Sequence, residues 1–186
     1  MGARLFSAVL PPQRVIEEID EFLAPRRGSD PRLSWTRPIG WHLTTSFMAS
    51  VDLADIDELN THLAEAAART RAFRVRVAGT RCFPEVWRAR VLALGVAEGG
   101  SELGALARRC RNAANRSGVI ADGSSFVGHL TLARARRPIE ATKWLRVLDS
   151  FPGSEWLAGE VALVESRLSD LGHRYEVLSR HRFTAG

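Results

Sequence analysis

Two copies of one short motif are the residues of this chain best suited to chemistry. His42-Leu43-Thr44 and His129-Leu130-Thr131 repeat the same three residue types in the same order. In a chain of 186 residues with 5 His and 9 Thr, a His-x-Thr pattern is expected about 0.24 times by chance. The duplication therefore indicates a paired site rather than two unrelated histidines whose polar groups are simply hydrogen-bonded within their strands.

The spacing within each copy places two functional groups on one face of a strand. Residues i and i+2 of extended backbone point the same way, so His42 shares a face with Thr44, and His129 with Thr131. One imidazole can take a proton from a nucleophile while the other protonates a leaving oxygen, because an ordinary histidine titrates near pH 6.5. Threonine hydroxyls can stabilise charge on non-bridging oxygens. The set suits in-line substitution at phosphorus.

The same alternation predicts what lies behind the motifs. Trp41, Leu43 and Phe47 are expected on the opposite, apolar face of the first strand. Two histidines without clustered carboxylates or cysteines make a poor zinc site, so the sequence predicts no metal and no other cofactor. The remaining histidines lack a partner motif and are interpreted as structural: His62, His173 and His181.

Hydrophobic periodicity predicts the elements that must position the motifs. Their order mixes helices with hairpin-linked strands, which favours an α+β fold over a doubly wound α/β sheet. Helices are predicted from Pro11-Pro12 to 23, from Asp52 as the capping residue to 70, over 100–117, and from Pro138 to 148. Strands are predicted at 5–10, 41–48, 73–77, 88–96 and 126–134, and as a terminal hairpin of 156–168 and 173–183 around Gly172.

Composition narrows the class of partner. The net charge is +5, and 25 of the 26 basic residues are arginine, with Lys143 the exception. Arginine suits bidentate phosphate contacts, but codon usage in a GC-rich genome explains the same bias, so the excess leaves both explanations open.

Cys82 and Cys110 form no C-x-x-C motif, which favours a reduced, cytoplasmic protein. No apolar run approaches a membrane span, and the one at 5–10 is too short for a signal peptide.

The motifs and their flanks resemble the 2H phosphoesterases, most closely the bacterial LigT-like RNA 2′,3′-cyclic phosphodiesterases. The resemblance covers nearly the whole chain. Trp41 precedes the first motif, as is usual in that family. The other matching segments are Arg4 to Pro11, Cys82-Phe83-Pro84, 90–96, 126–134, Glu165-Ser166 and 175–178.

The resemblance implies a fold, an activity and roles. The fold is a single bilobal domain over residues 1–186, with two pseudo-symmetric antiparallel-sheet lobes and outer helices around a central cleft. The activity is metal-independent opening of an RNA 2′,3′-cyclic phosphate to a 2′-phosphate. His42 would be the proton donor to the leaving oxygen and His129 the proton acceptor that activates water, while Thr44 and Thr131 bind the phosphate. The implied partners are RNA ends or nucleotides bearing that cyclic phosphate, with neither a membrane nor an obligate protein partner.

Two positions near the second motif qualify this expectation. Gly128 stands where the family usually has proline, so the segment before His129 is predicted to be more flexible. Arg134 is a family-like phosphate-binding candidate, but strict alternation places it on the Leu130 face. It reaches the cleft only if the strand bulges.

Other functions remain open from the sequence. One alternative is a 2H enzyme that hydrolyses or ligates 2′,5′-linked oligonucleotides or acts on other cyclic nucleotides. Another is a non-catalytic RNA-binding module, although a binder needs no matched acid and base.

Trp41 is expected in the core. Further candidates for RNA contact precede the first motif: Arg26, Arg27, Arg32, Arg37 and Trp35.

Overall fold

The computed structural model describes residues 2–169 and 172–185, and its strands form one antiparallel sheet. The strands are β1 (Ala3–Val9), β2 (Leu33–Trp35), β3 (Leu43–Val51), β4 (Phe73–Phe83), β5 (Ala89–Glu98), β6 (His129–Ile139), β7 (Ser154–Ala158), β8 (Glu160–Ser169) and β9 (Gly172–Arg182). The strand order is β7-β4-β5-β6-β3-β1-β8-β9, with the short β2 beside β6. The α+β prediction is confirmed.

Amphipathic helices cover the sheet. They are α1 (Gln13–Leu23), α2 (Ile56–Ala68), α3 (Gly100–Arg116) and α4 (Thr142–Asp149). Apolar residues recur at helical spacing, as in α1, where Val15, Ile19 and Leu23 are buried on one stripe. Helices α2 and α3 pack together and contact the part of the sheet that contains β3, β8 and β9, whereas α1 and α4 contact β7 and β4.

The sheet has two halves, which meet at the two motifs. Leu43 of β3 pairs with Leu130 of β6, and both side chains are completely buried. The half with β3, β1, β8 and β9 lies on one side of this pair, and the half with β6, β5, β4 and β7 on the other. Opposed residues of antiparallel strands point to the same face, so both leucines lie on the core face and their histidine and threonine neighbours on the other face.

Two sequence predictions about local structure are wrong. Pro138 does not begin a helix, because β6 continues to Ile139 and α4 starts only at Thr142. The pairing of β5 with β6 is irregular between Ile139 and Arg134, and such a position tolerates proline, which has no N–H to donate. Asp52 does not cap α2, since a 3-10 turn over Leu53–Asp55 precedes the helix.

The predicted terminal strand from Trp156 is in fact two strands. It divides at Gly159: β7 pairs with β4 in one half, whereas β8 pairs with β1 and β9 in the other. The hairpin of β8 and β9 is confirmed, with Gly172 paired to Ser169, and its turn at 170–171 lies outside the described residues. The sequence also missed β2 and the extension of β4 to Phe83.

Cys82 and Cys110 are both free thiols, and Cys110 is buried in the core. Within the described residues, no helix combines the length and the apolar character needed to cross a bilayer.

Candidate active site

The two motifs meet in one cleft. His42 and Thr44 flank Leu43 just as His129 and Thr131 flank Leu130, so the antiparallel pair sets each histidine opposite the threonine of the other motif. All five residues predicted for the site line a cavity of about 350 Å³ there. The described lining residues are Arg4, Phe6, Thr36, Gly40, His42, Thr44, Phe47, His129, Thr131, Arg134, Ser166 and Tyr175.

Both imidazoles are oriented in the same way. Nδ1 of His42 lies 2.7 Å from the carbonyl oxygen of Gly40, and Nδ1 of His129 lies 2.7 Å from that of Val127. A carbonyl oxygen can only accept, so in each ring Nδ1 carries a proton and donates it to the residue two positions earlier. Nε2 is then the atom that accepts a proton in the neutral ring and donates one in the imidazolium.

Aromatic rings hold the two imidazoles in place. Phe6 stacks on His42 with ring centroids 4.5 Å apart, and Tyr175 meets the same imidazole edge-on at 5.3 Å. Phe83 contacts His129 at 4.8 Å in a tilted arrangement. The three aromatic residues lie within segments that resemble the family, yet alternation and spacing assigned them no place in the site.

A β-bulge brings Arg134 into the cleft. Thr131 pairs with Ala93, but Ala133 pairs with Leu92, so Leu132 is an extra residue in β6. Leu132 and Ala133 are both buried, and the alternation resumes with Arg134 on the same face as Thr131. The structure therefore meets the condition under which Arg134 can reach a phosphate.

A matching bulge in β3 corrects the prediction for Phe47. Ala8 pairs with Thr44 and Ser7 with Ser46, so Thr45 is the extra residue, and its Oγ1 is hydrogen-bonded to Ser7 at 2.7 Å inside the core. Phe47 consequently lies in the cleft, not on the apolar face behind it. Phe47 follows His42 by five residues, just as Arg134 follows His129. The same position relative to the motif is therefore an aromatic ring in one half of the cleft and a cation in the other.

The cleft is electropositive. None of the described residues that line it is an aspartate or a glutamate, while Arg4 and Arg134 contribute two cations. The Arg4 guanidinium lies 4.8 Å from the centre of the Phe47 ring, a cation–π distance. A cavity lined by cations and hydroxyls attracts an anion of the size of a phosphate ester.

Burial makes His42 a weak base. The pKa of His42 is lowered to about 4, mainly because the ring is buried and to a smaller extent because of the positive charges of His129 and Arg134, while the hydrogen bond to Gly40 acts in the opposite direction. His42 is therefore neutral at pH 7 when the cleft holds no anion. Since the unfolded chain binds this proton near pH 6.5, His42 destabilises the fold progressively as the pH falls from 6.5 towards 4.

Phosphate binding should raise the pKa of His42 again. In an NMR titration of the imidazole signals, we expect saturating inorganic phosphate to raise the pKa of His42 by about 1–3, because a nearby opposite charge favours the imidazolium. His62 is the control. It lies outside the cleft, where its ring is hydrogen-bonded to Ser117 at 2.8 Å, and it should not respond to phosphate. An unchanged His42 titration would show that the anion does not bind beside this ring.

None of the described side chains of the other histidines lies in the cleft. His62 and His181 are hydrogen-bonded to serines, and neither lines the cleft; their interpretation as structural residues stays a prediction. The side chain of His173 lies outside the described residues. Within the described chain, no three His, Cys, Asp or Glu side chains are grouped so as to hold a metal ion.

The arginines before the first motif are mostly engaged within the protein. Arg27 is paired with Asp20, Arg32 with Asp30 at 2.7 Å, and Arg26 donates to a backbone carbonyl. The Trp35 indole donates to the carbonyl of Arg27 at 3.1 Å and packs edge-on against Trp144. Trp41 is buried, as predicted. This loop therefore offers less to RNA than its composition indicates.

Gly128 is tightly packed. A Cβ at this position would lie 3.1 Å from Val96 and 3.2 Å from Leu103, so a side chain here would require its neighbours to shift. The glycine therefore lets Val96 and Leu103 lie close to the backbone just before His129, and the predicted flexibility of this segment stays a prediction.

The sequence and the fold identify the family. The sequence profile of the 2′-5′ RNA ligase superfamily matches residues 11–170. Two relatives, both called RNA 2′,3′-cyclic phosphodiesterase, come from Aquifex aeolicus (31% identity over 147 residues, 77% of this chain and 78% of the relative) and Bacillus subtilis (27% over 136 residues, 73% and 69%). The chain belongs to the 2′-5′ RNA ligase superfamily of 2H phosphoesterases.

Solved structures agree on the fold. The crystal structure of E. coli LigT in apo form matches with a TM-score of 0.79 at 24% identity and covers 98% of both chains. That of TT0787 from Thermus thermophilus matches with a TM-score of 0.77 at 25% identity and covers 97% of both chains. The bilobal 2H phosphoesterase architecture implied by the sequence is confirmed.

Proposed function

We propose that this protein is a metal-independent cyclic phosphodiesterase that opens a 2′,3′-cyclic phosphate at an RNA end to leave a 2′-phosphate. The names of its relatives support the substrate class. One observation supports the chemistry above all others: two imidazoles, each with Nδ1 bound to a carbonyl, share one cleft without an acidic lining residue among those described. The whole chain would act as one bilobal unit, since the cleft takes a motif from each half.

The geometry supports a single in-line displacement. Nε2 of neutral His129 accepts a proton from water, whose oxygen forms a bond to phosphorus. The bond from phosphorus to the 3′ oxygen breaks, and Nε2–H of protonated His42 supplies the proton for that oxygen. Thr44, Thr131 and Arg134 stabilise the negative charge on the non-bridging oxygens. Solvent then returns both histidines to their starting forms.

The lowered pKa of His42 adds a condition to the donor role. Neutral His42 cannot protonate a leaving group, so the substrate must bring about its protonation. A cyclic phosphate is an anion, and its charge beside His42 favours the imidazolium. We therefore expect substrate binding at pH 7 to take up a proton from solution.

The test of this function is hydrolysis of cytidine 2′,3′-cyclic phosphate in EDTA, with the product identified by ³¹P NMR. We expect full activity in EDTA and only the 2′-phosphate, because the two histidines supply the acid and the base and His42 protonates the 3′ oxygen. Loss of activity that added metal restores would contradict the metal-independent mechanism. Formation of the 3′-phosphate would contradict the proposed direction of cleavage.

A second candidate is action on 2′,5′-linked oligonucleotides, by hydrolysis or ligation. The superfamily description, 2′-5′ RNA ligase, favours it, and the same acid–base pair could run the reverse chemistry. Incubation with RNA fragments that end in a cyclic phosphate and a 5′-hydroxyl would distinguish the two, because ligation lengthens the RNA. A non-catalytic RNA-binding role would show binding without either product.

A further inference from the structure

The largest exposed aromatic side chain lies beside the cleft, not in it. Trp87 is 65% exposed, in contrast to the buried Trp41, Trp144 and Trp156. It sits in the 3-10 turn Val86–Arg88 between β4 and β5. Exposing an indole to water is unfavourable, and an exposed aromatic ring next to cations is a candidate for contact with an anionic partner.

One arginine contacts this tryptophan, and others lie on the neighbouring strands. The Arg88 guanidinium lies 4.9 Å from the centre of the Trp87 ring. Arg90 donates to the backbone carbonyl of Arg136 at 3.3 Å, which joins the start of β5 to the end of β6. Arg136 and Arg137 are exposed on that part of β6. We call Trp87, Arg88, Arg90, Arg136 and Arg137 the basic platform.

Acidic residues compensate this charge only in part. Glu85 pairs with Arg88 at 3.5 Å, an exposed ion pair of the kind that contributes little. Glu140 instead accepts hydrogen bonds from the backbone and hydroxyl of Thr142 at the start of α4. The platform therefore keeps a net positive charge around an aromatic surface.

The basic platform is continuous with the wall of the cleft. Phe83, whose ring contacts His129, pairs with Val91 of β5, and Val91 pairs in turn with Arg134 of β6. Trp87 and Arg88 follow Phe83 in the chain, and Arg136 and Arg137 follow Arg134. In addition, the Ala141 N–H donates to the carbonyl of Val86 at 2.8 Å, so the turn is fixed beside the end of β6.

We propose that the basic platform binds the single-stranded RNA that precedes the cyclic phosphate, with a base stacked on Trp87 and backbone phosphates at the arginines. An aromatic ring interleaved with arginines is the usual composition of a single-strand binding surface, because every base can stack and every phosphate is an anion. This inference rests on the proposed function and adds where the polynucleotide lies. It also explains how an enzyme with a cleft of about 350 Å³ could favour RNA over a mononucleotide.

Kinetics with two substrates test this proposal. We expect Trp87→Ala to lower kcat/KM about 5–100-fold for an oligoribonucleotide with a terminal 2′,3′-cyclic phosphate, since stacking on one aromatic ring contributes on that scale. Hydrolysis of cytidine 2′,3′-cyclic phosphate should not change. Trp87→Phe, which keeps a stacking ring, should recover most of the loss, and Leu157→Ala, at a position equally exposed, should behave like the wild type.

The arginines have their own readout. For the oligoribonucleotide, the double variant Arg136→Gln/Arg137→Gln should flatten the dependence of log(kcat/KM) on log[salt] by about 0.7 for each phosphate that is no longer neutralised. Arg69→Gln/Arg71→Gln, two exposed arginines after α2, is the matched control and should not alter the slope. Quenching of tryptophan fluorescence by an oligoribonucleotide ending in a 2′-phosphate should disappear in Trp87→Phe.

The outcomes separate this proposal from the proposed function. If the wild type does not hydrolyse the cyclic mononucleotide, the proposed function fails. If it does, and Trp87→Ala and the double arginine variant both retain wild-type kinetics on the oligoribonucleotide, the basic platform is not the RNA site. Equal losses on both substrates would also overturn it, because they would indicate damage to the cleft.

Discussion

Replacing either His42 or His129 by alanine should lower kcat/KM for a 2′,3′-cyclic nucleotide about 10²–10⁴-fold, the usual contribution of a positioned acid or base. Each replacement removes the only imidazole that its motif supplies to the cleft. Because the two rings act in one displacement, the double variant should lose much less than the product of the two single losses. Steady-state kinetics on the three variants and the wild type measure this directly.

A matched control exists within the chain. His181→Ala also removes a half-buried imidazole, one bonded to Ser179 outside the cleft, and should retain wild-type kcat/KM. Thermal unfolding of each variant checks that the fold survives. Wild-type turnover in either His42→Ala or His129→Ala, with the fold intact, would refute a mechanism that uses both histidines.

Replacing Arg134 by alanine should cost about 10²–10³-fold in kcat, the scale expected when a preorganised group that stabilises transition-state charge is removed. Arg134 lies on the motif face only because of the bulge at Leu132, and its charge reaches His42. Arg134→Lys keeps the charge but not the bidentate geometry, so it should recover only part of the loss.

In Arg134→Ala, the pKa of His42 should change in the opposite direction from the activity. The positive charge of Arg134 lowers the pKa of His42, so Arg134→Ala should raise that pKa in an NMR titration while activity falls. Arg108→Ala, at an exposed position on α3, is the control for loss of one arginine. If Arg134→Ala leaves both kcat and the His42 titration unchanged, Arg134 does not act on the bound phosphate.

The motif pair was readable in the sequence because strand alternation relates residues only two positions apart. His42 and Thr44 needed no tertiary information to be placed on one face. Arg134 and Phe47 lie beyond a bulge in their strands, and one extra residue inverts every later position. Periodicity showed that Arg134 reaches the cleft only if β6 contains a bulge, but it could not show whether the bulge is present. For Phe47, the same periodicity predicted the wrong face of the strand.

Features fixed by long-range pairing were also out of reach. Nothing local in Trp156 to Leu168 shows that the chain changes partners at Gly159, because both pieces alternate as strands do. The neutral state of His42 arises from burial against Phe6 and Tyr175, which come from opposite ends of the chain. Likewise, the basic platform joins residues of β5 and β6 that are about fifty positions apart in sequence.

The assignment of acid and base is tested most directly by changing the leaving atom. A thiolate leaves without a proton far more readily than an alkoxide, so a 3′-thio analogue of a 2′,3′-cyclic nucleotide needs no general acid. We expect His42→Ala to hydrolyse this analogue at nearly the wild-type rate, whereas His129→Ala remains impaired. Rescue of His129→Ala instead of His42→Ala, or of neither variant, would contradict the account.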